Sequence, residues 1–107
     1  MNADTNNPVY SVGEFSYVIK KLVETNLSYV RIRGEISRPS FPGSGHVYFT
    51  LKDKDGTIAA IIWKYTLPRL SIKPEEGMEV ICSGKVTTFA GQSKYQIIVE
   101  SMEVAGE

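Results

Sequence analysis

The sequence holds one cysteine, one histidine and one tryptophan, and its 12 basic and 12 acidic side chains cancel. A lone Cys82 excludes a disulfide scaffold and a cysteine-based zinc site. A single imidazole, His46, leaves few metal constellations open. No apolar run approaches the ~18 residues that span a bilayer, so no membrane partner is expected. The segment after Met1, Asn2 to Asn7, is polar, so no signal peptide is read and a cytoplasmic setting is the expectation. A net charge of zero gives no global attraction to polyanions. What the chain does have is 42% hydrophobic residues over 107 positions, enough for one domain with a real core.

The charge is unevenly spread. Residues 10–69 carry nine basic and five acidic side chains, while residues 70–107 carry three and six. An anionic ligand would therefore meet the first part, although a mixed surface can show such a split by chance.

Residues 1–9 read as a disordered tail, and residues 10–107 as one domain. Ser11 followed three residues later by Glu14 forms a capping box, and Tyr10 with Phe15 fits a hydrophobic staple over it. Val12, Phe15, Val18, Ile19, Leu22 and Val23 recur at helical spacing and make one stripe, which predicts a helix ending near Thr25–Asn26.

From residue 29 the period changes to two. Val30, Ile32, Gly34 and Ile36 face one way, Arg31, Arg33 and Glu35 the other. The Pro-, Gly- and Ser-rich run 37–45 reads as a long loop. Residues 46–52 form a second strand with Val47, Phe49 and Leu51 inward, and Asp53-Lys54-Asp55-Gly56 is a hairpin turn. Residues 57–63 are a third strand, apolar on both faces. A short helical turn within 65–72 leads to a fourth strand over 79–89 and a fifth over 94–103. One helix and five strands, with a helical link between the third and fourth, predict an all-β fold with an N-terminal helix: a five-stranded Greek-key barrel, the OB-fold. Gly34 and Gly84 fall mid-strand, where a small barrel must bend to close. A flat five-stranded sheet backed by the helix is the alternative.

No catalytic constellation emerges. His46 has no triad, Asp53 and Asp55 are explained by a hairpin, Gly43-Ser44-Gly45 precedes a strand rather than a helix, and Cys82 alternates with the core. No cofactor and no metal site are expected. The outer positions of the first two strands, by contrast, carry Arg31, Arg33, His46, Tyr48, Thr50 and Lys52, which combine cations with flat rings. A single-stranded nucleic acid needs both: charge for its phosphates and rings for its exposed bases. Trp63 and Lys64 would extend the track, and the flanking loops add Arg38, Phe41 and Phe89. Each has a plainer reading. Arg31 and Arg33 could pair across strands with Glu35 or Glu100, Tyr48 could be an ordinary strand residue, and Trp63 could be core or docking surface.

The stretches Val30 to Ser37 (V-R-I-R-G-E-I-S) and Ser44 to Asp53 (S-G-H-V-Y-F-T-L-K-D), with Gly77 to Val80, Gly84 to Val86 and Tyr95 to Glu103, resemble the N-terminal domain of the bacterial exodeoxyribonuclease VII large subunit. The resemblance covers about residues 9–106. It implies an OB-fold that binds single-stranded DNA, in an enzyme that degrades such DNA from both ends into oligonucleotides and assembles with small subunits through other parts of a longer chain. It further implies that this sequence is a fragment without the catalytic residues. Where relatives often carry a cation on the third strand, this chain has Ala59 and Ala60. An RNA- or anticodon-binding OB module and a subunit-assembly module are the alternative functions.

Overall fold

The structure is a computed structural model that describes residues 7–106. Most of the predicted tail, together with Glu107, lies outside the described residues.

The first element is helix α1, Val12–Asn26. Both halves of the capping box form: the Ser11 N–H donates to Glu14 Oε1 at 2.9 Å, and the Glu14 N–H donates to Ser11 Oγ at 3.1 Å. The Tyr10 and Phe15 rings meet over this cap with centroids 5.5 Å apart. Five strands follow: β1 (Val30–Ser40), β2 (Val47–Lys52), β3 (Thr57–Ile62), β4 (Glu79–Thr88) and β5 (Tyr95–Val104), with a 3-10 turn at Leu67–Arg69. They close a barrel in the order β1-β2-β3-β5-β4. All neighbours run antiparallel except β3 and β5, which are parallel. The predicted barrel is the one that forms, and the flat sheet is excluded.

Alternation builds the core. Ile36, Val47, Phe49, Leu51, Ile62, Val80, Cys82, Ile97 and Val99 all point inward and are buried. Leu67, Leu70, Ile72 and Met78 from the link between β3 and β4 close one end. Burial pushes the Cys82 thiol up to about 12, so it stays protonated and acts as a small apolar side chain.

Closure depends on local breaks in the strands. Strand β1 pairs with β4 over Val30 to Glu35 and with β2 from Glu35 onward, so it bends at Gly34 to serve both. At Gly84 the β4·β5 register slips by one residue, leaving Glu100 unpaired as a bulge. A Cβ on Gly84 would stand 1.9 Å from the Ile98 carbonyl oxygen, so only glycine permits this approach.

One expectation needs correction. The loop expected over 37–45 is shorter, because β1 runs to Ser40 through a bulge between Ser37 and Ser40 that accommodates Pro39. The helical stripe is only partly packed. Helix α1 leans on β4, which half-buries Val18, Ile19 and Val23, while Val12 and Leu22 remain 82% and 55% exposed. The apolar stripe is wider than the surface that covers it.

A polar clamp fixes that helix. Lys20 Nζ lies 3.0 Å from Glu24 Oε2 and donates to Thr87 Oγ1 at 3.0 Å, and the Thr87 hydroxyl donates to the same carboxylate. The Thr87 hydrogen bond and then Lys20 hold the Glu24 carboxyl below its usual range.

Candidate nucleic-acid interface

The exterior of β2, β3 and β5 forms a continuous wall. In register across it lie Tyr48, the buried Ile61 and the half-buried Ile98, then Thr50, Ala59 and Gln96, then Lys52 and Thr57. Tyr48 is 40% exposed, so its ring has a free face. Ala59 faces outward on this floor. Ala60 points into the core, because it pairs with the inward Phe49. Ala59 leaves a small, uncharged floor between Thr50 and Gln96.

At one end of the wall stands His46. Its ring meets Trp63 edge-on with centroids 4.9 Å apart, and its Nδ1 accepts the Lys64 N–H at 3.0 Å. The neutral ring therefore carries its proton on Nε2. Gly45, at φ 92°, lets the chain pass so close to Lys64 that a Cβ there would lie 3.2 Å from the Lys64 Cβ. Trp63 is half-buried, so it is neither a core residue nor a free platform. Arg38 sits in the β1 bulge at φ 54°, its N–H held by Glu76 Oε1 at 2.8 Å, and its side chain is exposed. Bulges re-aim side chains in this way next to binding sites. The exposed Phe41 lies in the loop just beyond. At the other end of the wall, the half-buried Phe89 and the exposed Lys94 line a hollow of about 290 Å³ together with Ala59.

The ten residues singled out from the sequence thus fall into two groups. His46, Tyr48, Thr50, Lys52, Trp63, Lys64, Arg38 and Phe89 lie along or at the ends of one wall. Arg31 and Arg33 face outward as expected, but on the stretch of β1 that pairs with β4. There Arg31 Nη2 lies 2.7 Å from Glu103 Oε2, and Arg33 Nε lies 3.0 Å from Glu79 Oε2. Their partners are neither Glu35 nor Glu100. The bulge at Glu100 reverses the alternation of β5, which turns Met102 inward and Glu103 outward toward Arg31. Of the cations named along the wall, Arg38, Lys52, Lys64 and Lys94 have no carboxylate within ion-pair distance among the described residues, so each is available to a ligand.

The acidic hairpin has a structural use. Asp53 Oδ1 accepts the N–H groups of Asp55 and Gly56 at 2.8 and 2.9 Å, closing the turn. Among the described residues no group of three or more His, Cys, Asp or Glu side chains gathers to hold a metal ion, and no helix is long and apolar enough to cross a membrane.

A closed five-stranded barrel with rings and unpaired cations along the β2–β3 exterior defines an oligonucleotide-binding module. The family model that matches residues 10–103 is the OB-fold nucleic acid binding domain, and the chain belongs to that family. Its curated relatives include the exodeoxyribonuclease 7 large subunits of Cereibacter sphaeroides (strain ATCC 17025 / ATH 2.4.3) and Rhizobium etli (strain CIAT 652). The first is 57% identical over 101 residues, which is 94% of this chain and 20% of that one. The second is 57% identical over 106 residues, which is 98% of this chain and 20% of that one. The resemblance read from the sequence is borne out, and the chain spans about a fifth of the length of these relatives. Among solved structures, the S. pombe Stn1–Ten1 complex aligns over 76% of this chain and 60% of its own, with a TM-score of 0.60 and 21% identity. A replication protein A heterotrimer bound to single-stranded DNA aligns over the same shares, with a TM-score of 0.59 and 17% identity. These two likenesses are of fold.

The signal that sequence reasoning missed is Tyr95. Alternation puts it on one face with Ile97 and Val99, yet as the first residue of β5 it stands at the mouth of the barrel and is 59% exposed.

Proposed function

We propose that this domain binds single-stranded DNA on the β2–β3 exterior and presents it to a larger nuclease of the exodeoxyribonuclease VII type. That enzyme would degrade single-stranded DNA from both ends into oligonucleotides in the cytoplasm. Catalysis and the contact with the small subunit would reside in other parts of it, and this domain would bind without a cofactor. The observation that carries the reading is the wall itself: an exposed Tyr48 ring with Lys52, Lys64 and Arg38 around it, none of them neutralised by a carboxylate among the described residues. Rings bind any base by stacking, and free cations meet phosphates at any sequence, so such a wall suits a nuclease without sequence choice. The curated relatives' names point the same way.

The test is a titration of labelled oligo-dT at two salt concentrations, with RNA of matched sequence as competitor. Binding should weaken steeply with salt, because phosphate contacts release counterions, and DNA should not be displaced preferentially by RNA. Preferential binding of RNA would replace this reading with an RNA-binding one. Absence of any oligonucleotide binding, with Trp63 emission responding to a protein partner instead, would make the wall a docking surface.

A further inference from the structure

We propose that Tyr95, at the open end of the barrel, is a second base-stacking station that continues the β2–β3 track, with Lys52 and Lys94 as its phosphate contacts. The proposal rests on the single-stranded DNA reading above and extends the bound strand past the wall.

Three observations converge on this residue. First, Tyr95 lines two separate hollows of about 290 Å³ each. One also contains Lys52, Arg33 and Asp53, whose carboxylate accepts the hairpin N–H groups, the other Lys94, Phe89 and Ala59. An exposed ring bordered on two sides by recesses, each with a lysine, offers what an unpaired nucleotide needs: a face to stack on and a cation near its phosphate. Second, the two lysines are uncommitted, with no carboxylate in ion-pair range among the described residues, whereas Arg33 is held on Glu79. Third, the position is continuous with the wall. Gln96, the next residue, lies in register with Ala59 and through it with Thr50, and Lys52 pairs with Thr57, which borders both hollows. A strand crossing Tyr48 and Thr50 arrives at Tyr95 without leaving the surface.

The competing role for Tyr95 is a lid. It also lines an apolar hollow with Val30, Ile32, Ile58 and Val86, so its ring could serve only to keep water from the barrel's end. Substitution separates the two roles. Tyr95→Phe keeps a stacking face, whereas Tyr95→Leu keeps an apolar cover without one. The experiment titrates the 107-residue chain with labelled oligo-dT of increasing length and follows thermal unfolding in parallel. In the unsubstituted protein, affinity should rise in two stages with length. In Tyr95→Leu the second stage should be lost, with long oligonucleotides bound about five- to a hundredfold more weakly and short ones unchanged. Tyr95→Phe should bind as the unsubstituted protein does, and Lys94→Ala should reduce the salt dependence for long oligonucleotides only.

Two-stage binding in Tyr95→Leu equal to that of the unsubstituted protein would overturn the station and leave the wall intact. Loss of short-oligonucleotide binding in Tyr95→Leu with an unchanged melting temperature would also overturn it, because the ring would then belong to the primary track. No binding at any length by the unsubstituted protein would overturn the underlying DNA reading together with the station.

Discussion

The imidazole of His46 and the backbone of Lys64 are joined by a hydrogen bond in which Nδ1 accepts at 3.0 Å. It ties the start of β2 to the chain just past β3 and sets the ring edge-on against Trp63. His46→Phe keeps a ring against Trp63 but leaves the Lys64 N–H without its acceptor. The expected cost is about 0.5–1.5 kcal/mol in urea unfolding, with a red shift of Trp63 emission. His46→Asn, whose Oδ1 can take the place of Nδ1, should restore most of the stability. Equal unfolding midpoints for all three proteins would show that the bond contributes nothing.

Gly84 is the least replaceable position in the barrel. Gly84→Ala must push the Ile98 carbonyl aside from a contact of 1.9 Å, and backbone at a strand junction cannot yield cheaply. The expected loss is about 3 kcal/mol or more, or failure to accumulate folded protein. Gly56→Ala, where a Cβ would meet nothing within 4 Å, should stay within about 0.5 kcal/mol of the original. Denaturant midpoints measure both, and a stable Gly84→Ala variant would contradict the register described for β4 and β5.

Arg31 and Arg33 should matter little to DNA. Their pairs with Glu103 and Glu79 are more than half exposed on both sides, so Ala substitutions should cost about 0–1 kcal/mol of stability and leave the salt dependence of DNA binding unchanged. Ala at Arg38, Lys52 or Lys64 should each lower the slope of log affinity against log salt by about one. A fall in slope for Arg31→Ala or Arg33→Ala would return those residues to the interface.

The clamp between α1 and β4 gives the domain an acid limb. Glu24 is held below its usual range when folded, chiefly by Thr87 and then by Lys20. Its contribution is therefore fully present above the carboxyl's unfolded pKa and is lost as pH falls through the lower, folded value. Glu24→Gln should lower stability at neutral pH, differ little from the original in acid where the contribution is already lost, and so flatten the acid part of the stability curve. Denaturant melts at stepped pH read this directly, and superimposable curves for the two proteins would refute it.

Much of the architecture was legible because local chemistry and global fold agree. Ser11 and Glu14 announce the helix, Val47, Phe49 and Leu51 announce an inward face, and the mid-strand glycines announce closure. What escaped the sequence depends on defects in the repeat. Pro39 reads as loop because a proline cannot sit in a regular ladder, yet a bulge admits it. Glu103 could not be matched to Arg31 because the bulge at Glu100 inverts the phase. Tyr95 shares the face of Ile97 and Val99 yet is exposed, because alternation reports which way a side chain points, not whether the barrel extends that far. The site was half legible for the same reason. Tyr48 and Lys52 follow from period two, while the diversion of Arg31 and Arg33 required knowing which strands lie beside β1.

The seam between β3 and β5 rests on three residue pairs, Ala59 with Gln96, Ala60 with Ile97 and Ile61 with Ile98, whereas β4 and β5 are matched along nearly their whole lengths. Amide protons along this shortest ladder should be the first of the barrel to exchange with deuterated solvent. The wall and the Tyr95 mouth both straddle that seam, so an oligonucleotide lying over them would act as a stitch across it. Slower exchange there on adding oligo-dT would mark where the barrel breathes and what holds it shut.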